Sequence, residues 1–190
     1  SLGTLGVITQ VALKVRPLPK AARTLVTREG GVGLAARLLE AVPLPASVLA
    51  EHDRVVVRLE GWPQEVAEQA RAANGVAVLA DADPAERLGP AFPEASTLAQ
   101  VAVVPSRLDR LLTGVARYRA LVGVGYAWVP CDDEESLARL RDRAASLGGI
   151  APAVRGRGGR GAEGPMPAIQ QRIKAAFDPA GILASQMEQT

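Results

Sequence analysis

The sequence predicts an α+β fold, a mainly antiparallel sheet with helices packed on one face. Three observations carry this prediction. Short segments alternate apolar and polar residues, as half-buried strands do. Between them lie segments with apolar residues three and four apart, opened by Pro or acids and closed by Gly, as helices are. The order β-α-β-β-α-β then recurs on either side of a connector rich in Pro and charge.

The first strand expected is Val7 to Arg16. Val7, Thr9, Val11, Leu13 and Val15 share one face, and the prolines of "RPLP" end the run. "TLVTRE" is the next strand, followed by a helix from Leu34 to Val42 with Leu34, Leu38 and Ala41 on one side. "ASVLAEHDRVVVRLEG" reads as a hairpin with His52 and Asp53 near its turn. Pro63 suits the first position of a helix that Asn74-Gly75 stops, and "VAVLAD" closes the first half.

After the connector, "LAQVAVV" is a strand. Pro105-Ser106 opens a helix carrying Leu108, Leu111, Leu112 and Val115, with Ser106 as its cap. "ALVGVGYAWVP" is a strand pair bent at Gly123 and Gly125. "DDEESLARLRDRAASLGG" is a helix with acids in its first turn and Gly148 at its end, and "IAPAV" is the closing strand. Two such halves, about 21–80 and 96–155 with a linker at 81–95, imply duplicated ferredoxin-like units. The tail from 156 to 190 holds a Gly/Arg segment and an amphipathic helix bearing Ile169, Ile173, Ala176 and Phe177.

Composition narrows the function classes. The 190 residues are 48% hydrophobic but only 3% aromatic, so the core is built from Ala, Val and Leu, and base-stacking platforms are scarce. A net charge of +2 gives no overall footprint for nucleic acid or an anionic membrane. No run reaches the roughly 20 apolar residues of a membrane-spanning helix. The single cysteine, Cys131, excludes an internal disulfide framework and fits a reducing compartment such as the cytoplasm. Membrane association would have to come through partners.

Several candidates carry less than they suggest. Gly31-x-Gly33-x-x-Ala36, with Glu51 twenty residues on, imitates a dinucleotide fingerprint. "TLVTRE" is too polar for a central parallel strand, and Glu51 leads into a hairpin, so a glycine-rich helix start is the better reading. His52, the only histidine, lacks a second His for a metal. The acids from Asp132 to Glu135 disfavour a Cys131 thiolate and suit a helix start. Trp62 and Trp128 read as core or interface residues. No catalytic residue and no metal site is assigned.

"RGRGGRG" offers Arg155, Arg157 and Arg160 as a clamp for a carboxylate or phosphate. Ordering it would cost about 10 kcal/mol, at 1–2 kcal/mol per residue. Exposed ion pairs return at most about 1 kcal/mol each. Without a ligand the segment is expected to be mobile. Anion binding and a plain connector both stay open, and RNA binding through these arginines is a weaker third reading.

The opening "SLGTLGVIT", the downstream "ALKVRPLP" and the closing "FDPAGIL" together resemble FAD-linked oxidases of the vanillyl-alcohol-oxidase type. In that family "GSxGTLGVITEVTLKLRPLP" ends the FAD-binding domain and leads into a cap domain, and "FDPxGILNPGK" closes the chain. Within the family the likeness is nearest to the FAD-binding subunits of bacterial glycolate oxidases. It implies that residues 1–20 end an FAD-binding domain, 21–155 form the cap, and 156–190 return to the FAD domain. It further implies that Gly3, Thr4, Gly6, Val7, Ile8 and Thr9 pass near FAD. It also implies catalytic flavoprotein and iron–sulfur partner subunits and a small 2-hydroxy acid as substrate.

Two departures count against catalysis by this chain alone. The "HxGDGNxH" pattern of catalytic relatives is replaced by "AVRGRGGRGAEG", and "NPG" by Ala184-Ser185-Gln186. The strands that cradle most of the FAD are expected upstream of Ser1, so this chain by itself is expected to hold no flavin. A flavin-free scaffold subunit of the same complex is the alternative.

Overall fold

A computed structural model describes residues 6–15, 17–82, 92, 94–156 and 168–183. The chain divides into two compact units, Leu18–Gly161 and a second made of Ser1–Pro17 with Ala162–Thr190.

The larger unit is α+β, with one eight-stranded sheet whose pairings are all antiparallel among the described residues. In chain order its elements are β1 (Ala21–Thr27), α1 (Val32–Ala41), β2 (Ser47–Glu51), β3 (Val55–Gly61), α2 (Pro63–Asn74) and β4 (Leu79–Asp81). There follow β5 (Thr97–Ala102), α3 (Leu108–Leu112), β6 (Arg119–Leu121), β7 (Tyr126–Cys131), α4 (Glu134–Ser146) and β8 (Ala153–Arg155). Across the sheet the strands run β4-β1-β3-β2-β6-β7-β5-β8. The edge strands β4 and β8 have three residues each, which leaves little open ladder for another chain to pair with.

Strand alternation builds one continuous core. Leu25, Val48, Val55, Val57, Leu59, Val101 and Val129 face inward and meet Leu38 of α1, Val66 of α2, Leu108 and Leu111 of α3, and Leu137 of α4. Ala50, Ala99, Ala120 and Ala127 in the central strands are fully buried, and their small size lets helix and sheet approach closely. Burial of each large aliphatic side chain contributes about 1.5–3 kcal/mol. The hairpin and the helix stops at Gly75 and Gly148 fall where the pattern predicts.

Gly125 is a position that only glycine suits. Its φ is 69°, its N–H donates to the Val122 carbonyl, and its own carbonyl accepts from the Val103 N–H. A Cβ there would stand 2.0 Å from the Val103 oxygen.

Two local expectations are corrected. Residues 6–15 form no strand: they are exposed and pair with nothing among the described residues. Alternation marks a face that could be buried, but a strand also needs a neighbouring edge for its N–H and C=O groups. Ser106 does not cap a helix. It lies within a 3₁₀ turn, Pro105–Arg107, and α3 begins only after that turn, with Arg107 at its cap. Asp133 does cap α4, accepting from the Ser136 N–H at 2.6 Å.

In the smaller unit, α5 (Ala168–Phe177) ends at Asp178. The Asp178 carboxylate accepts from Lys174 Nζ at 2.6 Å and from the Ile182 and Leu183 N–H groups at 2.9 Å each. This closes the helix and folds the chain back over its last turn. Ile169, Ile173 and Phe177 are exposed along it.

Candidate functional site

The β2–β3 turn and the start of β6 border a cleft of about 370 Å³, lined by Glu51, His52, Asp53, Phe92, Arg117, Tyr118 and Arg119 among others. Glu51 is its centre. The β2–β6 register sets Glu51 directly opposite Arg119, and the hairpin turn brings Arg54 back to it, with the Glu51 N–H donating to the Arg54 carbonyl. Arg54 Nε donates to Glu51 Oε2 at 2.5 Å, and Arg119 Nε donates to Oε1 at 2.6 Å. Glu51 also anchors α1, because its carbonyl accepts from the Gly31 N–H.

Burial pushes the Glu51 carboxyl up, but the two guanidinium groups outweigh it and hold the group below the ordinary carboxylate range. Two guanidinium groups on one carboxylate leave a formal surplus of one positive charge. The row continues across the sheet as Trp128 opposite Arg119 and Gln100 opposite Trp128. Trp128 packs edge-on against Tyr126 at 5.2 Å between ring centres.

A second cluster borders the cleft at Phe92. Its backbone is left-handed, with φ 64°, and its ring lies 5.1 Å from the Arg117 guanidinium carbon. Arg117 also pairs with Glu94, and Arg155 Nη2 donates to the Phe92 carbonyl. The Glu94 carboxyl is lowered, first by its own backbone N–H and further by Arg117 and Arg155. Tyr118 is buried, which pushes its phenol up, and the charge of Asp109 adds to this.

These groups suit binding better than catalysis. Glu51 is held ionised by two hydrogen-bonded cations, so it is a weak proton acceptor. The raised phenol of Tyr118 stays protonated at neutral pH. Among the described residues no cluster of His, Cys, Asp and Glu could hold a metal.

The residues singled out in the sequence disperse. Arg155 donates from Nη2 to the carbonyl of Phe92, a residue of the cleft wall. Arg157 and Arg160, and with them the expected mobile segment, lie outside the described residues, as do Gly3 and Thr4. Gly6, Val7, Ile8 and Thr9 are exposed, and a Cβ on Gly6 would meet nothing within 4 Å.

His52 and Asp53 are exposed at the hairpin turn. Trp62 is also exposed, at the start of α2, and so belongs to no core. Cys131 is buried, and burial more than the neighbouring acids pushes its thiol up. The strand before Gly31 pairs only antiparallel, with β3 and β4, so the parallel crevice of a dinucleotide site does not form there. Sequence reasoning missed Arg54 and Arg119 and weighed Glu51 only in the dinucleotide pattern. The usable signal was an acid ending one predicted strand and an arginine immediately before another.

Scanned against protein-family models the sequence matches none, and a search of the curated proteins finds no match. Among the described residues no helix is long and apolar enough to cross a membrane.

Proposed function

We propose that the chain is the cap-bearing part of the FAD-binding subunit of a glycolate-oxidase-like flavoenzyme. The parent assembly, with its catalytic flavoprotein and iron–sulfur subunits, would oxidise a 2-hydroxy acid such as glycolate to glyoxylate. This chain's role is to dock and to cover, since the stretch from Ala153 to Gly164 that replaces the histidine motif of catalytic relatives holds no histidine. The cap itself is two ferredoxin-like units. In support, the first half orders its strands β4-β1-β3-β2, the second orders them β8-β5-β7-β6, and the two meet at β2 and β6.

The observation that carries the reading is the segment Val7–Val15. It alternates as a strand does, yet Val7, Ile8, Val11, Leu13 and Val15 are each 64–83% exposed. It groups with the α5 region and not with the sheet unit. An exposed apolar segment with strand-like alternation is costly in water and suits pairing onto a sheet supplied by another domain or subunit. The opening and closing motifs of the resemblance fall in this same unit.

The test is to tag the protein at its own locus, purify it from its host under mild conditions and record the flavin spectrum. A bound flavin that bleaches on addition of glycolate is expected. A colourless protein that brings down a flavoprotein partner would favour the flavin-free scaffold, for which the exposed apolar segment is equally suited. A colourless protein without such a partner would overturn both.

A further inference from the structure

We propose that the cleft between α3 and α4 binds a small amphiphilic monoanion, specifically a medium-chain aliphatic carboxylate. The site lies wholly within the sheet unit and does not rest on the function proposed above.

The argument begins with where the arginines find partners. Arg23, Arg54, Arg58, Arg117, Arg119 and Arg139 each pair with a carboxylate. At the C-terminal ends of α3 and α4 the pattern changes. Arg143 Nη1 donates to the Thr113 carbonyl at 2.7 Å, and Arg107 Nη1 donates to the Leu147 carbonyl at 2.8 Å. Arg110 is exposed and has no partner among the described residues. Arg110 and Arg143 line a cleft of about 320 Å³ with Thr113, Ser146 and Leu147, and no carboxylate stands in its wall.

The hydroxyls of that wall are already committed as donors. Thr113 Oγ1 donates to the Asp109 carbonyl, and Ser146 Oγ donates to the Arg143 carbonyl. The donors left for a ligand are guanidinium N–H groups, of which each arginine carries five. Such a wall selects an anion over a neutral polar group. The charge can be bounded as well. Two guanidinium groups supply two positive charges, and the C-terminal end of α4 offsets about half a charge. A surplus between one and two suits a singly charged head group better than a dianion.

The tail follows from the adjoining cleft. Arg143 is also in the wall of a second cavity of about 410 Å³, whose other walls are mainly apolar (Val115, Val129, Pro130, Cys131 and Leu140), with Ser136 and the Glu135-paired Arg139 beside them. Arg143 thus lines both a basic compartment and a mainly apolar one. A carboxylate at Arg110 and Arg143 can send its alkyl chain past the Arg143 stem toward Val115 and Leu140. A head-only ligand would leave the apolar compartment to water.

Isothermal titration of the full chain with sodium butanoate, hexanoate and octanoate tests the assignment. Affinity should rise about four-fold with each added methylene that enters the apolar compartment. Octylammonium and inorganic phosphate should each bind at least about ten-fold more weakly than octanoate. Arg110→Gln, at an exposed and unpaired position, should keep the fold and weaken octanoate about ten-fold. Val115→Trp should remove the gain from chain length. Arg143→Gln also breaks a helix-end bond, so Arg110→Gln decides if that variant fails to fold. A flat titration, or binding indifferent to chain length, head-group charge or Arg110, overturns the proposal.

Discussion

Replacing Glu51 by alanine takes the acceptor from two guanidinium groups at once, and the structure sets the scale of the loss. The Glu51 and Arg119 side chains are only 13% and 18% exposed, so water cannot readily replace their bond. A charge-assisted hydrogen bond of this kind contributes about 1.5–3 kcal/mol. Arg54 is 32% exposed, and its share falls to about 1 kcal/mol or less after solvent screening. The expected cost is about 3 kcal/mol. For a chain of this length each kcal/mol moves Tm by about 2–4 °C, which gives a fall of about 6–12 °C in a thermal scan. Glu51→Gln keeps a carbonyl acceptor for one arginine and should fall about half as far.

The sign of the pH dependence is fixed too. The folded carboxyl titrates below its unfolded value, so its contribution is full above about pH 4.3 and fades as pH falls through the lowered folded value. The gap between wild type and Glu51→Ala should hold from pH 8 to pH 5 and close in stronger acid. A Glu51→Ala protein melting within 2 °C of wild type, a loss of at most about 1 kcal/mol, would refute the reasoning.

Other substitutions probe other parts of the chain. Gly125→Ala forces a side chain onto left-handed backbone against the Val103 oxygen, and chemical denaturation should show a loss above about 2 kcal/mol. Leu108→Ala empties a fully buried position under α3 and should cost about 2.7–5 kcal/mol by the same measure. Native Cys131, buried and with its thiol pushed up, should react with iodoacetamide at least about ten-fold more slowly than after unfolding in guanidinium. Phe177→Ser should leave the melting temperature within about 2 °C of wild type, because that ring is exposed. The same change should reduce recovery of partner subunits from the host.

The sheet unit was largely legible because its elements are local patterns. Val55, Val57 and Leu59 alternate, Leu137, Leu140 and Ala144 repeat at helical spacing, and Asp133 and Gly148 mark the limits of α4. Val7–Val15 shows the limit of that reading: its periodicity is as clean as that of β3, but pairing depends on a neighbour that no local pattern specifies. Ser106 failed as a cap because the preceding proline opens a 3₁₀ turn and moves the helix cap one residue on, to Arg107. The Glu51 cleft was hidden for a related reason. Glu51 and Arg119 stand 68 residues apart and meet only because β2 and β6 pair. Element order was readable, but which strand lies beside which was not.

That same junction has a mechanical consequence. The sheet is eight strands wide, yet its midline is stitched by only three residue pairs, Leu49 with Leu121, Ala50 with Ala120, and Glu51 with Arg119. Any force or partner that pries the two halves apart at this line would have to break, besides backbone pairing, the one stitch that carries charge.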